Sequence, residues 1–168
     1  MYKVIQYFEF KQMLVWYNFL FMARNLMVQL PIGLTRAFSA SHRVWYRLSK
    51  GRLGGSFRGA PAVLLTTTGR LTHKERTWPL IALRLGDDYA LAASNGGHDK
   101  NPAWFNNLVA NPTVTIQDGG RTITGYARVT NGVERADLYA QFVELYSGYN
   151  DYTQATKREI PVVIVSPA

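Results

Sequence analysis

From residue 60 onward the chain is a series of short β-forming stretches, each stopped by a turn, and that alternation leaves few folds open to it. Residues 62–68 (AVLLTTT) are apolar and β-branched, the pattern of a buried strand. Residues 69–75 make a polar turn. Residues 76–85 and 89–94 read as strands joined at Gly86-Asp87-Asp88, and 113–117 and 121–129 as a hairpin across Asp118-Gly119-Gly120. A last apolar strand spans 161–165. Helices interrupt the strands. Asn101 as N-cap and Pro102 at the first helical position open a helix over 103–110, which Asn111-Pro112 stops. Residues 132–146 form an amphipathic helix with Leu138, Phe142 and Leu145 on one face, and a tyrosine-rich loop or short helix follows. Six strands with short connections and a few helices predict an α+β chain, mainly β, folded as a small closed or partly open β-barrel.

The residues before this region differ in charge. Up to Arg58 there are nine Lys/Arg and one acid, Glu9; from Gly59 on there are ten of each sign. The net charge of +8 therefore sits wholly in the first third. Residues 13–23 (MLVWYNFLFMA) are almost all apolar. As a helix, Lys11, Asn18, Asn25 and Gln29 share one narrow face. The apolar run is shorter than the ~20 residues a bilayer span needs. A basic charge spread along the chain would suit nucleic acid. Confined to an apolar arm, it points to an anionic lipid surface. Residues 1–40 are accordingly read as a basic amphipathic segment, with an interfacial helix, a core or dimer-interface helix and a signal peptide as competing readings. Residues 41–59 are read as a basic helix and linker, and 60–168 as the folded domain. The absence of cysteine excludes disulfides and thiolate chemistry and fits a reducing cytoplasm. The histidines, at 42, 73 and 98, are too scattered to hold a metal.

Four stretches could carry chemistry. TTTGRLTHKER (66–76) puts Thr72, His73 and the cations Arg70, Lys74 and Arg76 in one turn, a recipe for an anion cradle, though a solvated hairpin has the same look. AASNGG (92–97) runs a buried strand into Ser94, Asn95, Gly96 and Gly97, and paired glycines let a backbone approach a flat ligand. Ser94 lacks a Gly-x-Ser-x-Gly elbow and is not read as a hydrolase nucleophile. Trp104 could wall a ligand, or pack with Leu108 in the core. Tyr146, Tyr149 and Tyr152 recur at a spacing of three, either to clamp an aromatic substrate or to pack a helix face. No paired carboxylates are evident. The chemistry therefore points to a cofactor, with the protein positioning it.

Taken in order, LLTTTGRLTHKERTWPL, YALAASNGGHDKNPAWFNNLVANPTV and ELYSGYNDYTQATKREIPVVIV resemble the deazaflavin-dependent nitroreductase (Ddn-like) family of F420-dependent oxidoreductases, from about Ser41 to the C-terminus. The resemblance implies a six-stranded split β-barrel related to flavin mononucleotide-binding barrels. It implies reduced coenzyme F420, an 8-hydroxy-5-deazaflavin, as hydride donor, and a quinone, activated enone or nitroaromatic as acceptor. Arg70, Leu71 and Thr72 would fall on the loop that holds the phosphate and acidic tail, with His73, Lys74 and Arg76 beside them. Pro79 and Leu80 would lie beneath the ring. Ala92, Ser94 and Asn95, with Gly96 and Gly97, would lie at the ring, and Trp104 nearby. Tyr146, Tyr149 and Tyr152 would form the substrate side. Many relatives carry Lys-Ser-Gly after the arginine where this chain has Leu71-Thr72-His73, and often a lysine at the position of Asn95. Lys74 or Arg76 would have to supply the missing charge.

The mechanism expected is hydride transfer to a stacked electrophile, with Tyr149 or Ser94 polarising the acceptor oxygen or delivering a proton. The alternatives are a flavin mononucleotide- or haem-binding barrel and a non-enzymatic membrane adaptor. A cytoplasmic protein, peripheral at the inner face of the cell membrane and compatible with a homodimer, completes the expectation. No nucleic-acid partner is expected.

Overall fold

The computed structural model describes residues 46–52, 54–57 and 59–168. The predicted amphipathic segment, 1–40, and the start of the predicted basic helix lie outside the described residues. Ser41–Ala168 forms one compact unit.

Among the described residues, helical residues 46–48 are followed by seven strands and three further helices: β1 Ser56–Phe57, β2 Ala60–Thr68, β3 Glu75–Leu85, β4 Asp88–Ala92, α1 Ala103–Ala110, β5 Thr113–Asp118, β6 Arg121–Val129, α2 Gly132–Leu145, α3 Gly148–Ala155 and β7 Val162–Pro167. A single 3-10 turn, Asn95–Gly97, sits between β4 and α1. All strand pairs are antiparallel. The order β2-β3-β4-β7-β6-β5 closes on itself through β2 and β5, giving the expected six-stranded barrel. The two-residue β1 adds to it by pairing with the start of β2.

Side chains alternate across the wall as a two-residue period requires. Tyr89, Leu91, Val163 and Val165 point inward with Val63, Leu65, Val114 and Ile116. Ala90, Ala92, Val162 and Ile164 point outward and are covered by Leu138, Tyr139, Phe142 and Tyr149 from α2 and α3. Most of the inward aliphatic residues are fully buried. Each contributes about 1.5–3 kcal/mol relative to exposure. Trp104, Phe105 and Leu108 of α1 join the inner cluster and plug one end of the barrel.

The register tells the two ends apart. Thr68 pairs with Glu75 and Thr67 with Val114, so the 69–74 turn and α1 share an end. Ala82 pairs with Leu91, which brings residues 93–97 to that same end. The turns at Gly86 and Gly119 lie at the other. There Arg84 forms two hydrogen bonds of 2.6 Å with Asp118, whose Oδ2 also accepts the Tyr89 hydroxyl at 3.0 Å.

The structure adds to one local expectation and changes two. Within 41–59, read as a helix and linker, residues 46–48 are helical, and the stretch also ties to the barrel. Tyr46, 1% exposed, donates its hydroxyl proton to the Ala62 carbonyl and accepts the Gly119 N–H, both at 3.0 Å. The strand expected to reach residue 94 ends at Ala92: the Ala93 N–H still bonds the Pro161 carbonyl at 2.8 Å in the same register, but proline has no N–H to return the bond. Asn101 does not cap α1. Pro102 holds the cap position, and the Asn101 carboxamide oxygen instead accepts from Arg158 at 2.7 Å.

Candidate functional site

Three of the four chemistry-bearing stretches meet at the end of the barrel plugged by α1. The first is the 69–74 turn. It folds on itself through Gly69 N–H to Lys74 O, 2.9 Å, and His73 N–H to Gly69 O, 2.8 Å. His73 takes a positive φ of 53° to close it. Arg70 N–H goes to the side-chain oxygen of Asn107, 3.2 Å, and the Asn107 amide donates to Thr67 Oγ1, 3.1 Å. These backbone donors are thus bound within the protein. These three N–H groups are therefore not offered to an anion, which leaves the turn's side chains and the rest of its backbone for that role. Arg70 and Lys74 are exposed and make no ion pair among the described residues, so their charge is free for an anion. Arg76 leans on the Glu75 carbonyl at 3.4 Å. Leu71, 81% exposed, stands beside them with no charge to offer. Thr72 folds over Gly69, whose missing Cβ leaves room for its hydroxyl.

The second feature is a split in the wall. β3 and β4 pair from Leu85 and Asp88 only as far as Ala82 and Leu91. Beyond that point Pro79 and Leu80 form one lip, and Ala93, Ser94 and Asn95 the other. A proline lacks the N–H a central strand needs; Pro79 is tolerated because β4 does not reach it. Leu80 packs on the inner cluster while Pro79 is exposed on the outside. Ala92 is 7% exposed under the outer cluster. The Ser94 side chain is half-buried, and no hydrogen bond engages its hydroxyl among the described residues. Asn95, at φ 50°, directs its amide to the Lys100 carbonyl at 2.9 Å, so its side chain holds the loop. Gly96 and Gly97 continue the left-handed path at φ 63° and 81°.

The third feature is the tyrosine cluster of α3 and the turn before it. Tyr146, Tyr149 and Tyr152 do come together: the ring centroids of Tyr149 lie 5.9 Å from Tyr146 and 5.6 Å from Tyr152, both edge to face. Phe142 and Tyr139 close around Tyr149 at 5.2 and 6.0 Å, and Phe57 of β1 meets Tyr146 at 5.7 Å. Tyr149 is 4% exposed. Its hydroxyl has no hydrogen-bond partner among the described residues. Burial, reinforced by the neighbouring tyrosines, pushes it well above the ordinary phenol range. The phenol therefore holds its proton more firmly than a free tyrosine and offers a hydrogen-bond donor to whatever meets it.

The fourth stretch behaves differently. Trp104 is 2% exposed and packs edge to face on Phe105 inside the barrel. Packing in the core accounts for its indole, which presents no free face at the split. Sequence reading passed over two residues that hold the site together. Asn107 is 5% exposed and ties the 69–74 turn to α1. Arg158 binds the loop after β4. Residue type alone gives no signal for either, since only the fold places them under the loops.

A six-stranded split barrel with free cations, an opened wall and an aromatic cluster at one end is the architecture of a flavin-type reductase. Residues 39–167 match the family described as F420H(2)-dependent quinone reductase, and the chain belongs to that family. The F420H(2)-dependent quinone reductase Rv1261c of Mycobacterium tuberculosis (strain ATCC 25618 / H37Rv) is 37% identical over 129 residues, covering 74% of this chain and 87% of the relative. A solved F420-H2 dependent reductase (FDR-A) is 43% identical, covers 63% of this chain and 94% of its own, and superposes with a TM-score of 0.59. A solved domain-swapped dimer is 35% identical, with coverage of 80% and 99% and a TM-score of 0.62. The chain is thus an F420H2-dependent oxidoreductase with reduced coenzyme F420 as hydride donor. This replaces the flavin mononucleotide and haem alternatives. The residues fit the coenzyme: unpaired Arg70 and Lys74 suit a phosphate and an acidic tail, and the split between Pro79 and Ser94 leaves an edge for a planar ring.

Proposed function

We propose that this enzyme reduces a quinone, holding the coenzyme between the 69–74 turn and the split in the wall and the quinone against the tyrosine cluster. The observation that carries this is the seating of α3 on the Ser94–Gly97 loop: a Cβ at Gly97 would lie 2.8 Å from Ala155 Cβ. That contact sets the acceptor-side tyrosines directly beside the coenzyme-side loop. When bound, reduced coenzyme F420 supplies a hydride. Reduction of a quinone to a hydroquinone takes one hydride and one proton, so the protein must orient the acceptor and let a proton reach its oxygen. Arg70 and Lys74 bind the anionic part of the coenzyme by charge. The free Ser94 hydroxyl and the protonated Tyr149 hydroxyl donate to the acceptor oxygen and polarise it. The apolar walls of Tyr146, Tyr149 and Tyr152 stack the acceptor and exclude water.

The test follows oxidation of reduced coenzyme F420 by its absorbance, with a menaquinone analogue, an enone and a nitroaromatic as acceptors. The quinone is expected to give the highest kcat/KM. Arg70→Ala should raise the coenzyme KM about tenfold and leave kcat nearly unchanged. Absence of turnover with every quinone would overturn the acceptor, and absence of coenzyme binding would favour the adaptor reading.

The same proposal includes a location and an assembly. Nine cations against one acid in residues 1–58 suit an anionic membrane surface, where a lipid-soluble quinone is met. Co-sedimentation of the full chain with anionic but not neutral vesicles supports it, and equal recovery with both removes it. A homodimer would appear in light scattering as twice the 19.0 kDa chain mass.

A further inference from the structure

The loop that presents Ser94 takes a path that needs an outside hold. Asn95, Gly96 and Gly97 adopt φ of 50°, 63° and 81° in succession. Glycine adopts such angles freely and asparagine tolerates them, so the run sets few limits on its own path and its shape depends on what surrounds it. Two internal bonds, Gly97 N–H to Ser94 O at 3.0 Å and His98 N–H to Asn95 O at 3.2 Å, close the turn but do not fasten it to the barrel.

Arg158 fastens it. This residue lies between α3 and β7, half-buried beneath the loop. Its Nη2 donates to the carbonyls of Ala93 at 3.0 Å and Ser94 at 2.8 Å. Its Nε donates to the carbonyl of His98 at 2.9 Å, and its Nη1 to the side-chain oxygen of Asn101 at 2.7 Å. One guanidinium therefore grips the loop before, at and after its left-handed turn. Arg158 forms no ion pair among the described residues. Its donors go to neutral oxygens, which is the work of a clamp. Thr156 steadies the arrangement: its hydroxyl donates to Asp99 at 2.9 Å and accepts the Arg158 N–H at 3.3 Å. A lysine could not replace the clamp, since a single ammonium cannot reach acceptors spread along a planar fork.

We propose that Arg158 is a positioning residue for the coenzyme: it fixes the Ser94–Asn95 loop at the split in the barrel and so sets coenzyme affinity without touching the coenzyme. This rests on the coenzyme lying at that split, as set out under the proposed function. The quinone side is held by the tyrosine cluster and depends on Arg158 less.

The full-length chain carrying Arg158→Ala or Arg158→Lys tests it with three measurements. The coenzyme KM should rise about tenfold in both variants, with kcat at saturating coenzyme and the quinone KM changing by less than about twofold. Amide exchange at Gly97 and His98 should quicken in both. Millimolar guanidinium should restore much of the coenzyme affinity of Arg158→Ala but not of Arg158→Lys. An open hollow of about 670 Å³, lined by Asp99, Gln154, Thr156 and Arg158 among others, gives it access. Folded variants with a wild-type coenzyme KM would overturn the proposal, as would an equal loss in every kinetic parameter without rescue. Should Arg158→Ala not fold, Arg158→Lys and Asn101→Ala decide by the same coenzyme KM: a rise supports the clamp and no change removes it. If the wild-type chain binds no coenzyme, the functional reading fails. Amide exchange then scores the clamp alone, and exchange that is unchanged at Gly97 and His98 refutes it.

Discussion

Gly97 and Tyr152 meet backbone to backbone: a Cβ on Gly97 would stand 3.1 Å from both the Cα and the carbonyl oxygen of Tyr152. The coenzyme-side loop and the acceptor-side helix are thereby fitted to each other with no room for a side chain. Gly97→Ala adds this clash to a φ of 81° that alanine adopts poorly. It should cost about 2–3 kcal/mol. Thermal unfolding measures the loss. Because the clash pushes the loop and α3 apart, the KM values of coenzyme and quinone should both rise.

Tyr149→Phe separates packing from chemistry. The hydroxyl is buried and unpartnered among the described residues, so its removal leaves nothing else unsatisfied. Stability should stay within about 0.5 kcal/mol of wild type or increase. If the hydroxyl donates to the acceptor, kcat/KM with a quinone should fall about tenfold or more. An unchanged kcat/KM would make Tyr149 a packing residue only. Since burial raises its pKa, no alkaline loss of activity should trace to Tyr149 at ordinary assay pH.

Asn107→Ala should damage fold and site together. It leaves the Thr67 hydroxyl and the Arg70 N–H without their partner in a buried setting. The cost should be about 2–3 kcal/mol in urea unfolding. The 69–74 turn loses its tie to α1, so the coenzyme KM should rise towards that of Arg70→Ala. Asn107→Asp keeps the acceptor for Arg70 but not the donor to Thr67 and should fall between the two.

At the opposite end of the barrel, the Arg84 guanidinium beside Asp118 holds its carboxyl below the ordinary 3.8, and the Tyr89 hydroxyl assists. The folded state therefore binds fewer protons than the unfolded one between that lowered value and 3.8. Its contribution is complete above this window and is lost as pH falls through it. Asp118→Asn should be less stable than wild type at neutral pH by about 1 kcal/mol, and the difference should vanish at the acid end. Denaturant titrations at several pH values, with turnover at neutral pH as a control, would show this. Turnover should hold, because the pair lies far from the split.

How much of the site could be read beforehand depended on what kind of signal each residue gives. Tyr149 and Tyr152 converge because a spacing of three puts them on one face of α3, as local geometry dictates, whereas Tyr146 stands before that helix in extended backbone and joins them through the turn between α2 and α3. The left-handed loop announced itself through Asn95-Gly96-Gly97. Arg158 and Asn107 gave no such sign. One forms bonds across 65 residues of chain to Ala93, the other across 37 to Arg70. Trp104 could be read as a ligand wall or a core residue, because periodicity records which face is apolar and not what covers it.

The sequence by itself determined the strands, their turns and the inward and outward faces, because hydrophobic period and turn chemistry act within a few residues. It determined the family through the order of its motifs, and the one-sided charge of residues 1–58. Tertiary structure alone decided that the wall opens between Pro79 and Ser94. It also decided that Tyr46 belongs to the barrel, and that Asn107 and Arg158 hold the two loops. These features arise from strand register and from hydrogen bonds between distant segments, and neither is set until the barrel closes.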